Sequence, residues 1–177
     1  MQFYTERLIL KTSDPSMAKE VLQFYIDNSD DFSNVEPIDT SDFYTFGIQQ
    51  RNLRVESRLI AQNKLFRFWI YLKSNPEKPI GTFSLQNLRK GSFLSASLGY
   101  KMDRNYRKMG YCSEAIRFGI SFSSSLGLHR LNAIVLPDNT DSIHLLERNG
   151  FEKEGLLKEY VKLKGVWRDH YLYSRLL

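Results

Sequence analysis

Cysteine is nearly absent from the 177 residues: Cys112 stands alone, so no internal disulfide can form. One cysteine and three scattered histidines cannot assemble a metal site either, and a reducing compartment is expected. Long apolar runs are missing too. No stretch approaches the roughly 18 apolar residues that a membrane span needs. Met1 to Lys11 carries Glu6 and Arg7 inside its apolar stretch, so it lacks the core of a signal peptide. A cytoplasmic protein without membrane contact is the expectation. No block of like charges and no basic stripe interleaved with exposed aromatics occurs, so direct nucleic-acid binding is not expected despite a net charge of +5. There is no nucleophile elbow with Ser, His and Asp, and Cys112 has no evident His partner, which argues against a covalent acyl-enzyme. Repeats, low-complexity segments and linkers are lacking as well, and residues 1–177 are read as a single domain.

What is present is a chain with 42% hydrophobic residues, enough for a substantial core. Phe3 to Lys11 reads as a first strand. Asp14 and Pro15 open an amphipathic helix with Ala18, Val21, Leu22 and Tyr25 on one face. Residues 27 to 40 read as a loop, and a looser helical pattern follows through Asn63. Leu65 to Lys73, Ile80 to Leu88 and Phe93 to Met102 form a three-stranded meander, with a turn at Arg89, Lys90 and Gly91. A helix through Ala115, Gly119, Phe122 and Leu126 is closed by Gly127. A short strand from Leu131 to Leu136, a helix capped at Asn139 or Thr140, and two strands near 156 to 164 and 168 to 176 complete the order. The expected class is α+β: about seven strands in one mixed, mostly antiparallel sheet, with helices on both faces.

The most informative segment is Tyr100 to Ala115, where a strand runs through a turn into a helix that begins with small residues. Exposed amides at a helix start carry partial positive charge, and small residues let a phosphate approach them. Arg104, Arg107 and Lys108 add cationic charge.

Arg107-Lys108-Met109-Gly110-Tyr111-Cys112 resembles the R/Q-x-x-G-x-G/A pyrophosphate motif of GNAT acetyltransferases, with Cys112 where Gly or Ala is usual. That cysteine could make the loop sensitive to thiol reagents. The resemblance runs nearly end to end with the ribosomal-protein N-acetyltransferase (Rim-type) branch. It includes Thr5-Glu6-Arg7-Leu8-Ile9-Leu10, Ile80-Gly81-Thr82, Leu98-Gly99-Tyr100, Gly127-Leu128-His129-Arg130, Pro137-Asp138-Asn139-Thr140 with Ser142, Asn149-Gly150-Phe151 and Glu154-Gly155.

The resemblance implies direct transfer of an acetyl group from acetyl-CoA to an amine in a ternary complex, without a metal. It assigns cofactor binding to Tyr100, Lys101 and Met102, to the turn Arg107, Lys108, Met109, Gly110, Tyr111, Cys112 and Ser113, and to the pair Asn139 and Ser142. The amide near Met102 would face the thioester oxygen, and Ser142 is the candidate general acid. The bland alternative for Asn139 is a plain helix cap.

The general base is the gap. Relatives carry a glutamate where this chain has Ser97 or Val161, which leaves Glu159 as the candidate, with Asp169 close by. A missing strong base favours an acceptor that is easily deprotonated. At pH 7 an α-amine of pKa near 8 costs about 1.4 kcal/mol to deprotonate, against roughly 4.6 kcal/mol for lysine. A protein or peptide N-terminus is therefore the expected acceptor. The alternatives are a small amine such as a polyamine, aminoglycoside or amino acid, or a sensor that binds acyl-CoA and has lost catalysis. Acceptor choice is expected to lie in residues 14 to 63. Homodimerisation through the last strands is a family-level expectation that the sequence itself does not display.

Overall fold

The computed structural model describes residues 1–37 and 41–177, so the last three residues of the loop expected over 27–40 lie outside the described residues. Among the described residues, eight strands form one sheet in the order β1-β2-β3-β4-β5-β6-β8-β7. They are β1 (Gln2–Tyr4), β2 (Leu8–Thr12), β3 (Phe66–Leu72), β4 (Gly81–Arg89), β5 (Ser95–Met102), β6 (Arg130–Val135), β7 (Glu152–Leu163) and β8 (Val166–Leu176). Every pairing is antiparallel except β5 with β6.

Seven expected strands become eight because the first one folds back on itself. The Thr5 amide donates to the Leu8 carbonyl at 3.1 Å, and β1 then pairs with β2 through Phe3 and Leu10. The turn Thr5-Glu6-Arg7 contains no Gly, Pro or Asn, so the residue types that usually announce a turn are missing. The loop expected after residue 27 also contains structure. A one-turn helix α2 (Ser29–Phe32) follows α1 (Ala18–Asp27). Asp30 and Asp31 lie in its first turn, where a helix favours negative charge, and Phe32 is buried against Phe24 and Tyr25.

Period-two alternation divides the aromatic residues between two faces of the sheet. Phe68 goes to one side, stacked on Phe83 and meeting Phe3, Phe118 and Phe122 under α4 (Tyr111–Ser125). Its neighbour Trp69 goes to the other, joining Tyr71, Phe24, Tyr25, Phe32 and Leu53 beneath α1 and α3 (Phe46–Ala61). α5 (Thr140–Arg148) contributes buried Leu146 to the core on the α4 side. Helices thus cover both faces, as expected.

One local feature of the sheet positions the site. β5 and β6 pair only over Ser95–Ser97 and Arg130–Asn132. Beyond that the strands part: β6 continues along β8, while β5 stays paired with β4 as far as Met102. The Asp103 amide donates to Ile80 O at 2.9 Å, so by antiparallel alternation the main-chain groups of Tyr100 and Met102 point away from β4, into the notch where β6 has left. Gly81 permits this tight strand end, since a Cβ there would stand 2.6 Å from the Lys101 carbonyl oxygen.

Candidate active site

The notch opens into a cleft of about 1220 Å³ between the end of β5, the start of α4 and the start of α5. Eight lysines or arginines and three aspartates border it, so its potential suits a polyanion.

The start of α4 supplies the anion-binding geometry. Gly110 takes a left-handed φ of +81°, which turns the chain sharply from the Arg107-Lys108-Met109 segment into the helix. Being glycine, it offers no side-chain cap, and the first intrahelical bond runs from the Glu114 amide to Gly110 O. The amides of Tyr111, Cys112 and Ser113 are therefore left without a helical partner. Ser113 does not cap them, because its hydroxyl donates to Asn149 Oδ1 at 3.0 Å. Three open amides, a glycine turn and neighbouring cations fit a diphosphate.

The sequence-expected residues divide into those that border this cleft and those that do not. Tyr100, Lys101, Met102, Arg107, Lys108, Gly110, Cys112, Ser113, Asn139 and Ser142 all line it. Met109 and Tyr111 lie at its back: the Met109 carbonyl accepts from Arg7 Nη1, and the Tyr111 ring lies under the Arg7 guanidinium. Glu159 does not border the cleft. It is exposed on β7 within an irregular stretch between Leu157 and Val161, at φ +47°, with its amide donating to Asp169 Oδ1.

Ser142 is held from two sides. Its amide donates to Asn139 Oδ1 at 3.2 Å, so Asn139 caps α5, and its Oγ lies 2.6 Å from the Tyr100 hydroxyl. Burial pushes the Tyr100 phenol well above its ordinary range, so it stays protonated. Arg107 is fixed likewise, donating through Nε to Met102 O at 3.2 Å and pairing through Nη2 with Asp31 Oδ2 at 2.9 Å.

Cys112 does not have the character of a reactive thiol. A helix start lowers a thiol pKa, but Cys112 packs against the core, and burial pushes it up to about 12.

The three cleft carboxylates are all engaged: Asp31 with Arg107, Asp138 with Arg168 at 2.8 Å, and Asp141 with Lys108 at 3.4 Å. A second hollow of about 820 Å³ lies beneath α1 and α3, bordered by Glu36, Glu56, Arg67 and Lys101. Lys101 borders both spaces, and its ammonium is held by Glu36 and the Tyr25 hydroxyl. Sequence reasoning had not singled out Asp31, Glu36 or Glu114, nor any role for Arg7. Their partners lie far away in the chain, and no local spacing announces them. Among the described residues no cluster of three or more His, Cys, Asp or Glu could hold a metal ion, and no helix is long and apolar enough to cross a membrane.

A parting of two strands beside an uncapped helix start gives one cleft that can take both an anion and an extended arm. Residues 7–152 match the family model described as an acetyltransferase (GNAT) domain, and the chain belongs to the GNAT N-acetyltransferase family. It is 32% identical over 170 residues to the [ribosomal protein uS5]-alanine N-acetyltransferase of Escherichia coli, covering 95% of this chain and 87% of that protein. The crystal structure of the ribosomal-protein-S5-alanine acetyltransferase from Vibrio fischeri superposes with a TM-score of 0.93 at 28% identity, covering 99% of this chain and 96% of the other. Mycobacterium smegmatis RimJ, solved in complex with CoA-disulfide, shares the fold at a TM-score of 0.89 and 24% identity, over 96% of this chain and 81% of that one.

Proposed function

We propose that this chain, acting as one domain over residues 1–177, transfers the acetyl group of acetyl-CoA to the α-amine of a protein N-terminus by direct attack in a ternary complex. The observation that carries this reading is the run of open amides Tyr111–Ser113, of which Cys112 and Ser113 border the same cleft as the unpaired side of β5. Uncapped amides beside Arg107 and Lys108 suit a diphosphate. Main-chain groups of Tyr100 and Met102 without a strand partner suit an extended amide-bearing arm, which would add to β5 as a further strand does.

Acetyl-CoA, when bound, supplies the acetyl group as a thioester. The Met102 amide is the donor for its carbonyl oxygen, and a fixed donor of this kind is worth about 2.7–4 kcal/mol. Ser142 protonates the departing sulfur. The neutral Tyr100 hydroxyl at 2.6 Å steadies Ser142 Oγ and keeps a proton in the pair.

The acceptor chemistry follows from the carboxylates. Each one bordering the cleft is ion-paired, so the bases left there are His144 and water, both of which suit an amine that loses its proton readily. The likeness to a uS5-alanine N-acetyltransferase supports the same acceptor class. The hollow beneath α1 and α3, which shares Lys101 with the cleft, is the approach for the peptide. We place the reaction in the cytoplasm. Leu156, Tyr160, Val166 and Trp167, each about half exposed on β7 and β8, support a homodimer through the last strands.

The test is mass spectrometry and CoA release with three acceptors: a peptide with a free N-terminus, the same peptide N-blocked but carrying lysine, and a polyamine. Acetylation of the first well above the others is expected. Faster turnover of lysine or polyamine would overturn the acceptor assignment, and coenzyme A binding without turnover on any amine would leave a sensor.

A further inference from the structure

The turn between β1 and β2 places an arginine where neither the motif nor the cleft's own loop would supply one. Arg7 lies between β1 and β2, about a hundred residues from α4 in sequence, yet its guanidinium rests against the start of that helix. Its Nε donates to Glu114 Oε2 at 2.7 Å and its Nη1 to the Met109 carbonyl at 3.0 Å. The plane covers the Tyr111 ring at 4.5 Å. Nη2 has no hydrogen-bond partner among the described residues. It stands 3.2 Å from where a Cβ on Gly110 would be, and Arg7 borders the cleft.

Glu114 fixes this arrangement. It is only 6% exposed, on the first full turn of α4. Its Oε1 accepts from the Thr5 hydroxyl at 2.6 Å and the Arg7 amide at 2.8 Å, while its Oε2 takes the Arg7 side chain. Burial alone would raise the Glu114 pKa, but these donors outweigh it and hold the carboxyl below the ordinary range, so it is ionised at neutral pH. A buried carboxylate with both oxygens occupied is a rigid anchor for a guanidinium. An arginine whose Nε and Nη1 are committed has little rotamer freedom left to lose when its remaining edge meets an anion.

We infer that Arg7 is a binding residue for the cofactor diphosphate, aimed by Glu114 at the anion held on the Gly110 turn. The inference rests on the proposed use of acetyl-CoA. Arg7 adds a further cation beside the Gly110 turn, and Glu114 is a positioning residue that acts through it. The hairpin β1-β2 is then part of the cofactor site.

The experiment compares R7Q, R7K and E114Q with the unaltered protein. Coenzyme A binding is followed by calorimetry at several salt concentrations, KM for acetyl-CoA and kcat are measured separately, and all readings are taken below each variant's melting temperature. R7Q is expected to weaken binding and raise KM about 10-fold, with kcat within about threefold, as for loss of one charge-assisted contact. It should also flatten the salt dependence relative to R7K, which keeps the charge and recovers part of the affinity. E114Q should fall between R7K and R7Q with the salt slope preserved, because the charge remains but is no longer aimed. If R7Q and E114Q melt earlier yet bind coenzyme A as tightly as the unaltered protein, Arg7 is only a tether and the inference is overturned. Failure of the unaltered protein itself to bind coenzyme A would instead overturn the reading on which the inference rests, and the inference with it.

Discussion

Two helices begin at the same cleft, and they begin differently. α5 starts with Asn139, whose side chain accepts the Ser142 amide, so this end is partly satisfied from within the chain. α4 starts with Gly110, has no side-chain cap, and leaves three amides open. Replacing a capping side chain by Gly typically costs a few tenths of a kcal/mol, so leaving α4 without a side-chain cap forgoes little stability. The comparison teaches what each end is for. Under the proposed function, the satisfied start fixes a side chain, Ser142, in place, and the unsatisfied start keeps its donors for an anion.

The contrast can be broken most severely at Gly110. Gly110→Val forces a β-branched residue to φ near +81° and crowds the turn, and coenzyme A affinity measured by calorimetry should fall at least a thousandfold, roughly 4 kcal/mol. Gly127→Val is the control at the other end of α4. Its φ is also positive, at +71°, but nothing lies within 4 Å of a Cβ there, so it should cost stability and leave affinity unchanged.

Cys112 sharpens the same comparison, because it sits among the open amides without becoming a thiolate. With its pKa pushed up to about 12, the deprotonated fraction at pH 8 is small. Alkylation by iodoacetamide should run roughly a thousandfold slower than for a free cysteine, rising with pH up to that value. Rapid modification at neutral pH would show the thiol to be accessible and ionised.

At α5 the expected effects are smaller. Ser142→Ala should lower kcat about 100-fold with KM for acetyl-CoA nearly unchanged, the signature of a lost proton donor. Asn139→Ala should remove about 1 kcal/mol of stability, seen as a fall of about 2–4 °C in melting temperature, with coenzyme A affinity within threefold. A collapse of affinity in Asn139→Ala would mean that both helix starts bind the anion and that the contrast between them is false.

The start of α4 and the end of β5 were legible in the sequence because their signals are local. Small residues after a basic turn, Gly127 closing the helix, and alternation from Phe93 to Met102 each depend on neighbours in the chain. What escaped depends on distant pairs. Arg7 meets Glu114, Arg107 meets Asp31, and Tyr100 meets Ser142 only once the sheet has formed. The turn at Thr5-Glu6-Arg7 was missed because tertiary contacts with Glu114 hold it, in place of turn-forming residue types. Glu159 shows the converse difficulty. Its position near the Glu154-Gly155 pair suggested proximity to the site, but the irregularity between Leu157 and Val161 changes which way the strand faces, and no sequence period reveals that.

The central claim is that the amides of Tyr111, Cys112 and Ser113 receive the cofactor diphosphate. Proton–nitrogen correlation spectra of the labelled protein, recorded as coenzyme A is added, test it most directly. Large stoichiometric shifts at Gly110 to Ser113, exceeding those at Thr140 to Ser142, are predicted. Saturating coenzyme A that leaves the α4 amides unmoved, or moves only those of α5, would contradict it.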